Sequence, residues 1–178
     1  MKVLALVGSP RKESNTDLLV SAILEGARKS NYKTEKIYLY DVNIAPCVDC
    51  KKCKKGNYQC GLLDDMQTIY PKLQEVDTIV FGTPLYWYGP TGKMKLLIDR
   101  LSPLIASNGL KGKKAVLVGP SEEGADACSF IVGMFNSSFD YLGVHLVGKL
   151  LPKASEKAEV KAQPETLREA FAIGQGLK

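Results

Sequence analysis

The chain has 178 residues, of which 45% are apolar and 24% charged, an ordinary composition for a soluble globular protein. No apolar run approaches the roughly 20 residues that a membrane-spanning helix needs, and the net charge of +5 comes without a basic stripe interleaved with aromatic residues. We therefore expect one domain over residues 1–178 that binds neither membrane nor nucleic acid. The first apolar run is too short for a signal peptide, so we expect a cytoplasmic protein without a leader.

Five short apolar strands alternate with helical patterns along the chain. Strands are predicted at Lys2–Val7, Thr34–Tyr40, Thr78–Phe81, Lys114–Val118 and His145–Leu150. Helices are predicted at Asp17–Lys29, Met66–Leu73, Gly92–Ile105, Ala125–Leu142 and Pro164–Ile173. This alternation is typical of an α/β protein with parallel strands and right-handed crossovers. We expect three layers around a doubly wound five-stranded sheet of order 2-1-3-4-5, with ligands at the carboxyl ends of its strands.

A polar loop follows directly after the first strand, where Gly8–Thr16 reads Gly-Ser-Pro-Arg-Lys-Glu-Ser-Asn-Thr. A helix N-terminus supplies N–H groups and a favourable dipole for a phosphate. The candidate phosphate-binding residues are Ser9, Arg11, Ser14, Asn15 and Thr16. The loop matches neither a dinucleotide fingerprint nor a Walker motif, which argues against both classes. A polar turn with an ordinary N-cap is the alternative, but the position after the first strand favours a phosphate site.

Four of the five cysteines lie in residues 44–64, an insertion between the second strand and the second helix. These are Cys47, Cys50, Cys53 and Cys60. Their spacing lets the sulfurs wrap a cluster, and Cys60 would make a self-contained [4Fe–4S] site feasible. Zinc fits less well because it prefers two pairs with a longer gap, and free thiols are the other alternative. Four lysines within residues 51–55 form either a solvated surface or a docking site for an acidic partner.

An aromatic loop follows the third strand and contains the only tryptophan of the chain. Its candidate binding residues are Pro84, Leu85, Tyr86, Trp87 and Tyr88. They offer flat apolar surface and backbone polar groups, which a flat heteroaromatic ring requires. An aromatic plug over the core is the alternative, but the neighbouring phosphate loop favours a ring site. A third loop follows the fourth strand, and its Gly119 and Gly124 are candidates to complete the pocket.

The remaining polar residues form no hydrolytic constellation. Asp64 or Asp65 is predicted to begin a helix, and the pair Asp99-Arg100 to be surface charge or a subunit contact. His145 is expected to be structural and Cys128 to be a small buried residue. The segment Ala154–Gln163 is rich in lysine and glutamate, which indicates a solvated loop.

The loop Gly8–Thr16 resembles the FMN-phosphate loop of the NADPH-dependent FMN reductase and iron–sulfur flavoprotein families, which have a flavodoxin-like fold. The resemblance extends from Met1 to about Leu151 and is weakest in the last third. It implies FMN as cofactor, with its ring against the segment Thr83–Tyr88, and a homodimer or homotetramer. The cysteine spacing is similar to that of the iron–sulfur flavoproteins, so the likeness implies the four cysteines of the insertion as ligands of a [4Fe–4S] cluster that exchanges electrons with FMN.

We therefore expect an FMN-dependent electron-transfer oxidoreductase in which the flavin carries the chemistry and no side chain acts as acid or base. NAD(P)H and ferredoxin, an acidic redox protein, are the candidate electron donors. One alternative is a cluster-free NAD(P)H-dependent FMN or quinone reductase. Another is a flavin electron carrier without a substrate of its own, and a non-flavin protein with a zinc-bound cysteine loop is the third.

Overall fold

In the computed structural model, which describes residues 1–177, five parallel strands form one sheet of order β2-β1-β3-β4-β5. The strands are β1 Lys2–Val7, β2 Lys33–Tyr38, β3 Thr78–Gly82, β4 Lys114–Val118 and β5 His145–Leu150. The helices are α1 Asn15–Lys29, α2 Met66–Glu75, α3 Gly92–Asp99, α4 Ser102–Ala106, α5 Ser129–Leu142 and α6 Pro164–Gln175. The predicted strand order and doubly wound topology are thus confirmed. No helix of the described chain has the length and apolar character needed to cross a membrane.

The three central strands are covered on both faces, as their near-continuous apolar sequences predict. Successive side chains point to opposite faces of a strand, so each strand contributes to two cores. Leu4, Leu6 and Phe81 belong to the core beneath α2, α3 and α5. Val3, Val7 and their neighbours on β3 and β4 belong to the core beneath α1 and α6. The sheet is therefore the middle of three layers.

Helices α1 and α6 touch through their backbones. A Cβ built on Gly174 would lie 1.9 Å from the carbonyl oxygen of Ile23, and one on Gly26 would lie 2.0 Å from that of Phe171. Any side chain at either position would clash with the main chain of the other helix. These two glycines therefore set the distance between the helices, which fixes α6 against the helix that begins at the phosphate loop.

Two predicted helices differ most from the structure, and the other predicted helices and strands differ by at most two residues at an end. The prediction of a single helix over Gly92–Ile105 is wrong, since α3 ends at Asp99 and α4 begins at Ser102. Pro103 lies in the first turn of α4, where proline is tolerated, whereas inside a continuous helix it would remove a hydrogen bond. The helix predicted from Ala125 begins instead with a 3₁₀ turn at Gly124–Cys128 that leads into α5. Within that turn Cys128 is fully buried, as predicted.

The segment Ala154–Gln163 is only partly the solvated loop that its composition indicates, and its exposed residues are Ser155, Glu156, Lys157, Lys161 and Ala162. Glu159–Ala162 forms a 3₁₀ turn, and Ala154 and Val160 are buried. The Asn15 side chain holds the segment, since it donates to the Glu156 carbonyl at 2.8 Å and accepts from the Val160 N–H at 3.2 Å. Two buried apolar side chains among many charged ones thus anchor the segment beside the start of α1.

Candidate functional site

Three βα loops meet at the carboxyl edge of the sheet around a cavity of about 180 Å³. All five predicted phosphate residues line it, together with Pro84, Leu85 and Tyr86 of the aromatic loop. Five further lining residues were not among the predicted candidates: Pro120, Ser121 and Glu122, which lie in the third loop between its two predicted glycines, and Ala154 and Ser155. Ala154 and Ser155 come from the segment interpreted as a solvated loop. In the sequence, only the apolar Ala154 among charged residues indicated that this part of the chain contacts the protein surface.

The phosphate loop presents an open helix N-terminus to this cavity. No side chain caps α1, although Ser14 stands at the N-cap position. The Ser14 hydroxyl instead lies 3.0 Å from the Ser9 hydroxyl, and both side chains are buried. Thr16 in the first turn is also buried, whereas Arg11 is exposed. The first-turn N–H groups and two hydroxyls are thus gathered at one end of the cavity, which is the arrangement that binds a phosphate.

A buried carboxylate supports the loop from below. Asp17 accepts from the Lys36 ammonium at 2.6 Å, from the Tyr38 hydroxyl at 2.9 Å and from the backbone N–H of Glu13 at 2.8 Å. Glu13 has a φ of 56°, a left-handed conformation that this bond stabilises. Burial alone would raise the pKa of Asp17, but the bonds from Lys36, Glu13 and Tyr38 outweigh it and lower the pKa. The carboxylate therefore stays ionised and fixes the loop.

The Asn15 side chain is engaged outside the cavity. Both its amide atoms bond to the segment of residues 154–163, as described above. The backbone N–H of Asn15, in the first turn of α1, is the group of this residue that we expect at a phosphate, and the amide nitrogen keeps a second N–H. Asn15 thereby links the phosphate loop to the segment that contributes Ala154 and Ser155 to the cavity wall.

The aromatic loop turns back on itself at Tyr86–Gly89. The backbone N–H and C=O groups of Tyr86 and Gly89 bond reciprocally at 2.9 and 3.0 Å. Between them, Trp87 and Tyr88 have φ values of 48° and 61°, the pattern of a type I′ turn that favours Asn-Gly. Trp87 is 97% exposed, and Tyr88 stacks edge-on against Phe130 with ring centroids 6.2 Å apart. Neither lines the cavity, so the strained turn holds two aromatic rings at its rim.

The third loop contributes through residues other than the two predicted glycines. Gly119 and Gly124 are buried but do not line the cavity. Gly124 has a φ of 73°, and its carbonyl accepts from the Ser121 hydroxyl at 3.0 Å. The glycines therefore shape the loop, and the residues between them face the cavity.

The cysteine loop, residues 44–64, has one short 3₁₀ turn, Lys52–Lys54, and is otherwise irregular. All four of its cysteines line one cavity of about 70 Å³. Burial raises the pKa of the Cys53 thiol, and the neighbouring Cys60, Cys47 and Cys50 raise it further. Among residues 1–177, no three metal-binding side chains surround a common point. The donor set thus fits an iron–sulfur cluster in kind and number, although its sulfurs are not drawn together.

The interpretation of Arg100 as surface charge or a subunit contact is wrong, because its side chain is 1% exposed. It pairs with Asp64, whose side chain is 5% exposed, and it also reaches Cys60. Of the two predicted helix starts, Asp65 stands at the N-cap position of α2, and the carboxylate of Asp64 before it also accepts from the Met66 N–H at 3.1 Å. Asp99 is exposed and pairs with Lys95 at 2.6 Å. His145 is exposed at the start of β5.

Comparison with known proteins gives relatives for most of the chain. A family model described as NADPH-dependent FMN reductase matches residues 1–158. An iron–sulfur flavoprotein of Methanocaldococcus jannaschii is 40% identical over 126 residues, which cover 70% of this chain and 65% of that protein. An iron–sulfur flavoprotein of Archaeoglobus fulgidus is 44% identical over 100 residues, 56% of this chain and 48% of that protein. The chain thus spans less than two thirds of the length of either relative.

Solved structures share the fold at lower identity. The structure of an NAD(P)H:quinone oxidoreductase from Methanothermobacter marburgensis superposes with a TM-score of 0.80 at 19% identity. The superposition covers 100% of this chain and 96% of the other. The superposition supports the flavodoxin-like doubly wound architecture. At this identity it shows the fold and not the chemistry of the site.

Proposed function

The chain belongs to the NADPH-dependent FMN reductase family, and from this we propose that it is an FMN-dependent oxidoreductase. The observation that carries the proposal is the cavity at the carboxyl edge of the sheet, into which an uncapped helix N-terminus and two buried serine hydroxyls project. A cavity at this position of an open α/β sheet is the usual site of a nucleotide-like ligand.

The residues present fit FMN in kind. The N–H groups of the first turn of α1, with Ser9 and Ser14, would hold the phosphate, and Arg11 would add a charge from the exposed side. Pro84, Leu85 and Tyr86 would contact the ring, and the rim aromatics Trp87 and Tyr88 would limit its exposure to water. When bound, FMN supplies the capacity to accept and release electrons singly or in pairs, and the protein orients and shields it.

We extend the proposal to a [4Fe–4S] cluster held by the four cysteines of the cysteine loop. It is supported by their spacing, by the single cavity that they line and by the relatives named iron–sulfur flavoproteins. The second candidate is a cluster-free NAD(P)H-dependent FMN or quinone reductase. The observation that favours it is that the thiols do not surround a common point in the described chain.

Two exposed surfaces suit the proposed partners. Trp87, Tyr88 and Phe130 form an exposed aromatic patch at the rim of the cavity, which suits a second copy of the chain in a homodimer or homotetramer. The four lysines of residues 51–55 are exposed beside the cysteines, which suits an acidic electron donor such as a ferredoxin.

The decisive experiment is to count iron, acid-labile sulfide and FMN in protein purified without oxygen. We expect about four irons and four sulfides for each FMN, with broad absorbance near 400 nm that bleaches on reduction. Replacing Cys47 and Cys50 by serine should remove the iron and leave FMN bound, because the two cavities are separate. FMN without iron in the wild-type protein would favour the cluster-free reductase, and protein that cannot bind FMN would contradict the whole proposal.

A change in the strained turn Tyr86–Gly89 should have opposite effects on the free energy of unfolding and on the affinity for FMN. Replacing Trp87 and Tyr88 by Asn and Gly, the residues that suit a type I′ turn, should raise the free energy of unfolding of the FMN-free protein by about 1 kcal/mol. The same change should weaken FMN binding about tenfold, because the bound ring would be more exposed to water without the two aromatic side chains at the rim. Thermal unfolding and fluorescence titration measure the two effects. Unchanged FMN affinity would show that these aromatic residues do not contribute to FMN binding.

A further inference from the structure

The two ends of the cysteine loop are joined at a neck whose centre is the buried ion pair of Arg100 and Asp64. Arg100 donates one N–H from each terminal nitrogen to the Asp64 carboxylate, from Nη1 at 2.6 Å and from Nη2 at 3.1 Å. Ala45, at the other end of the loop, accepts from Nη1 at 2.8 Å and donates its own N–H to Asp64 at 2.8 Å. One guanidinium therefore binds both ends of the loop.

The geometry directs the remaining terminal N–H of this guanidinium at a cysteine. Three of the four Nη hydrogens are used by Asp64 and Ala45, and the fourth, on Nη2, faces Cys60 Sγ at 3.3 Å. The Tyr70 hydroxyl donates to the Arg100 carbonyl at 2.7 Å, which holds the backbone in place. The Arg100 Nε is buried and has no hydrogen-bond partner within the described chain. Rotation of the guanidinium away from Cys60 would break the bonds at the neck.

The four cysteines of the loop are therefore not equivalent. No side-chain donor reaches Cys47, Cys50 or Cys53 in the part of the chain that the structure describes, and the first two of these are exposed. Cys60 alone among them meets a positive charge that is itself buried and fixed. Sulfur ligands gain electron density when an iron–sulfur cluster is reduced, so a hydrogen bond to the sulfur stabilises the reduced state.

We propose that Arg100 is the positioning residue of Cys60, and that its hydrogen bond to this sulfur raises the reduction potential of a cluster bound there. The second half of the inference rests on the proposed function, whereas the positioning of Cys60 does not. Asp64 acts through Arg100, because it fixes the plane of the guanidinium.

The test replaces Arg100 by Lys, which keeps the charge beside Asp64 but lacks the rigid fork that reaches the sulfur. The matched control is Lys95→Gln, which removes a positive charge paired with Asp99, another residue lining the cysteine cavity. If Arg100→Lys does not fold, the double variant Asp64→Asn/Arg100→Met removes both charges and keeps an acceptor for the Ala45 N–H. The midpoint potentials of cluster and FMN are measured in the same anaerobic titration.

In Arg100→Lys we expect the equilibrium of one-electron exchange between cluster and FMN to move about tenfold towards reduced FMN. This corresponds to a cluster potential about 59 mV lower with the FMN potential unchanged. We expect the same direction in the double variant and wild-type potentials in Lys95→Gln. A cluster potential unchanged in Arg100→Lys, or an equal shift in Lys95→Gln, would overturn the inference.

Counting iron in the wild-type protein separates the two proposals. Iron-free wild-type protein would contradict the proposed cluster and, with it, the effect of Arg100 on the cluster potential. The proposal that Arg100 positions Cys60 is then tested by hydrogen–deuterium exchange. Arg100→Lys should speed exchange of the Ala45 N–H at least tenfold relative to wild type, because its acceptor Asp64 loses the two guanidinium hydrogen bonds that fix its orientation. Exchange of that N–H at the wild-type rate would overturn the positioning role as well.

Discussion

Replacing Gly174 by alanine should lower the free energy of unfolding by about 3 kcal/mol, at the upper end for inserting one methyl group into a packed interior. The new Cβ would lie 1.9 Å from the carbonyl oxygen of Ile23, and backbone cannot move aside as a flexible side chain can. Helices α1 and α6 would have to separate, and the apolar contacts around the glycine would be lost. For a chain of this length the midpoint of thermal unfolding should fall by about 6–12 °C.

The matched control is Gly133→Ala on the exposed side of α5. A Cβ there meets no atom within 4 Å, so the variant should gain about 1 kcal/mol from the higher helix propensity of alanine. Calorimetry on the FMN-free proteins measures both variants. Equal stability of Gly174→Ala and wild type would contradict the close approach of the two helices.

Replacing Ser14 by aspartate should weaken FMN binding about 100-fold without destabilising the FMN-free protein. Aspartate is a favourable N-cap, and its carboxylate would accept the first-turn N–H groups of α1 that no side chain caps in the wild type. The same carboxylate would occupy the place proposed for the phosphate and repel it, and two like charges in contact cost several kcal/mol. Fluorescence titration of the FMN-free protein measures the affinity, and thermal unfolding measures the stability.

Ser14→Ala is the control for this prediction, since it removes one hydroxyl donor and adds no charge. It should weaken FMN binding about tenfold, the effect of losing one hydrogen bond to a charged group. If Ser14→Asp and Ser14→Ala weakened binding equally, the phosphate would not lie at the start of α1, and the cavity would have to hold FMN in another orientation.

The sheet, and the position of the loop Gly8–Thr16 at its carboxyl edge, could be predicted because their signals are local. The apolar runs of β1 and β4 mark strands covered on both faces, and Gly8–Thr16 brings its candidate donors together within one loop. The third loop was expected at the site because it follows a strand end, but which of its residues line the cavity, and that residues 154–155 join them, could not be found in this way. Residues 154 and 155 follow β5 and are held beside the cavity by the hydrogen bonds of the Asn15 side chain to Glu156 and Val160.

Burial of charged residues was the property that the sequence reasoning missed. Arg100 and Asp64 are 36 positions apart, and nothing in the local pattern of either distinguishes a buried ion pair from surface charge. The same holds for Asp17 and Lys36, which share a hydrogen bond beneath the phosphate loop. A charged side chain avoids the free-energy penalty of burial only when a partner of opposite charge lies within hydrogen-bonding distance. For residues that are far apart in the sequence, the fold decides which charges meet.

The neck of the cysteine loop also bears on the order of assembly. The hydrogen bonds among Arg100, Asp64 and Ala45 close the loop through protein groups alone, so most of the entropy of bringing its ends together is lost when these three residues pair. A cluster bound as we propose would then have to order only a tethered segment and not a free chain, unlike small domains that stay unfolded until a metal binds. On that proposal, folding of the chain and insertion of the metal would be separate events.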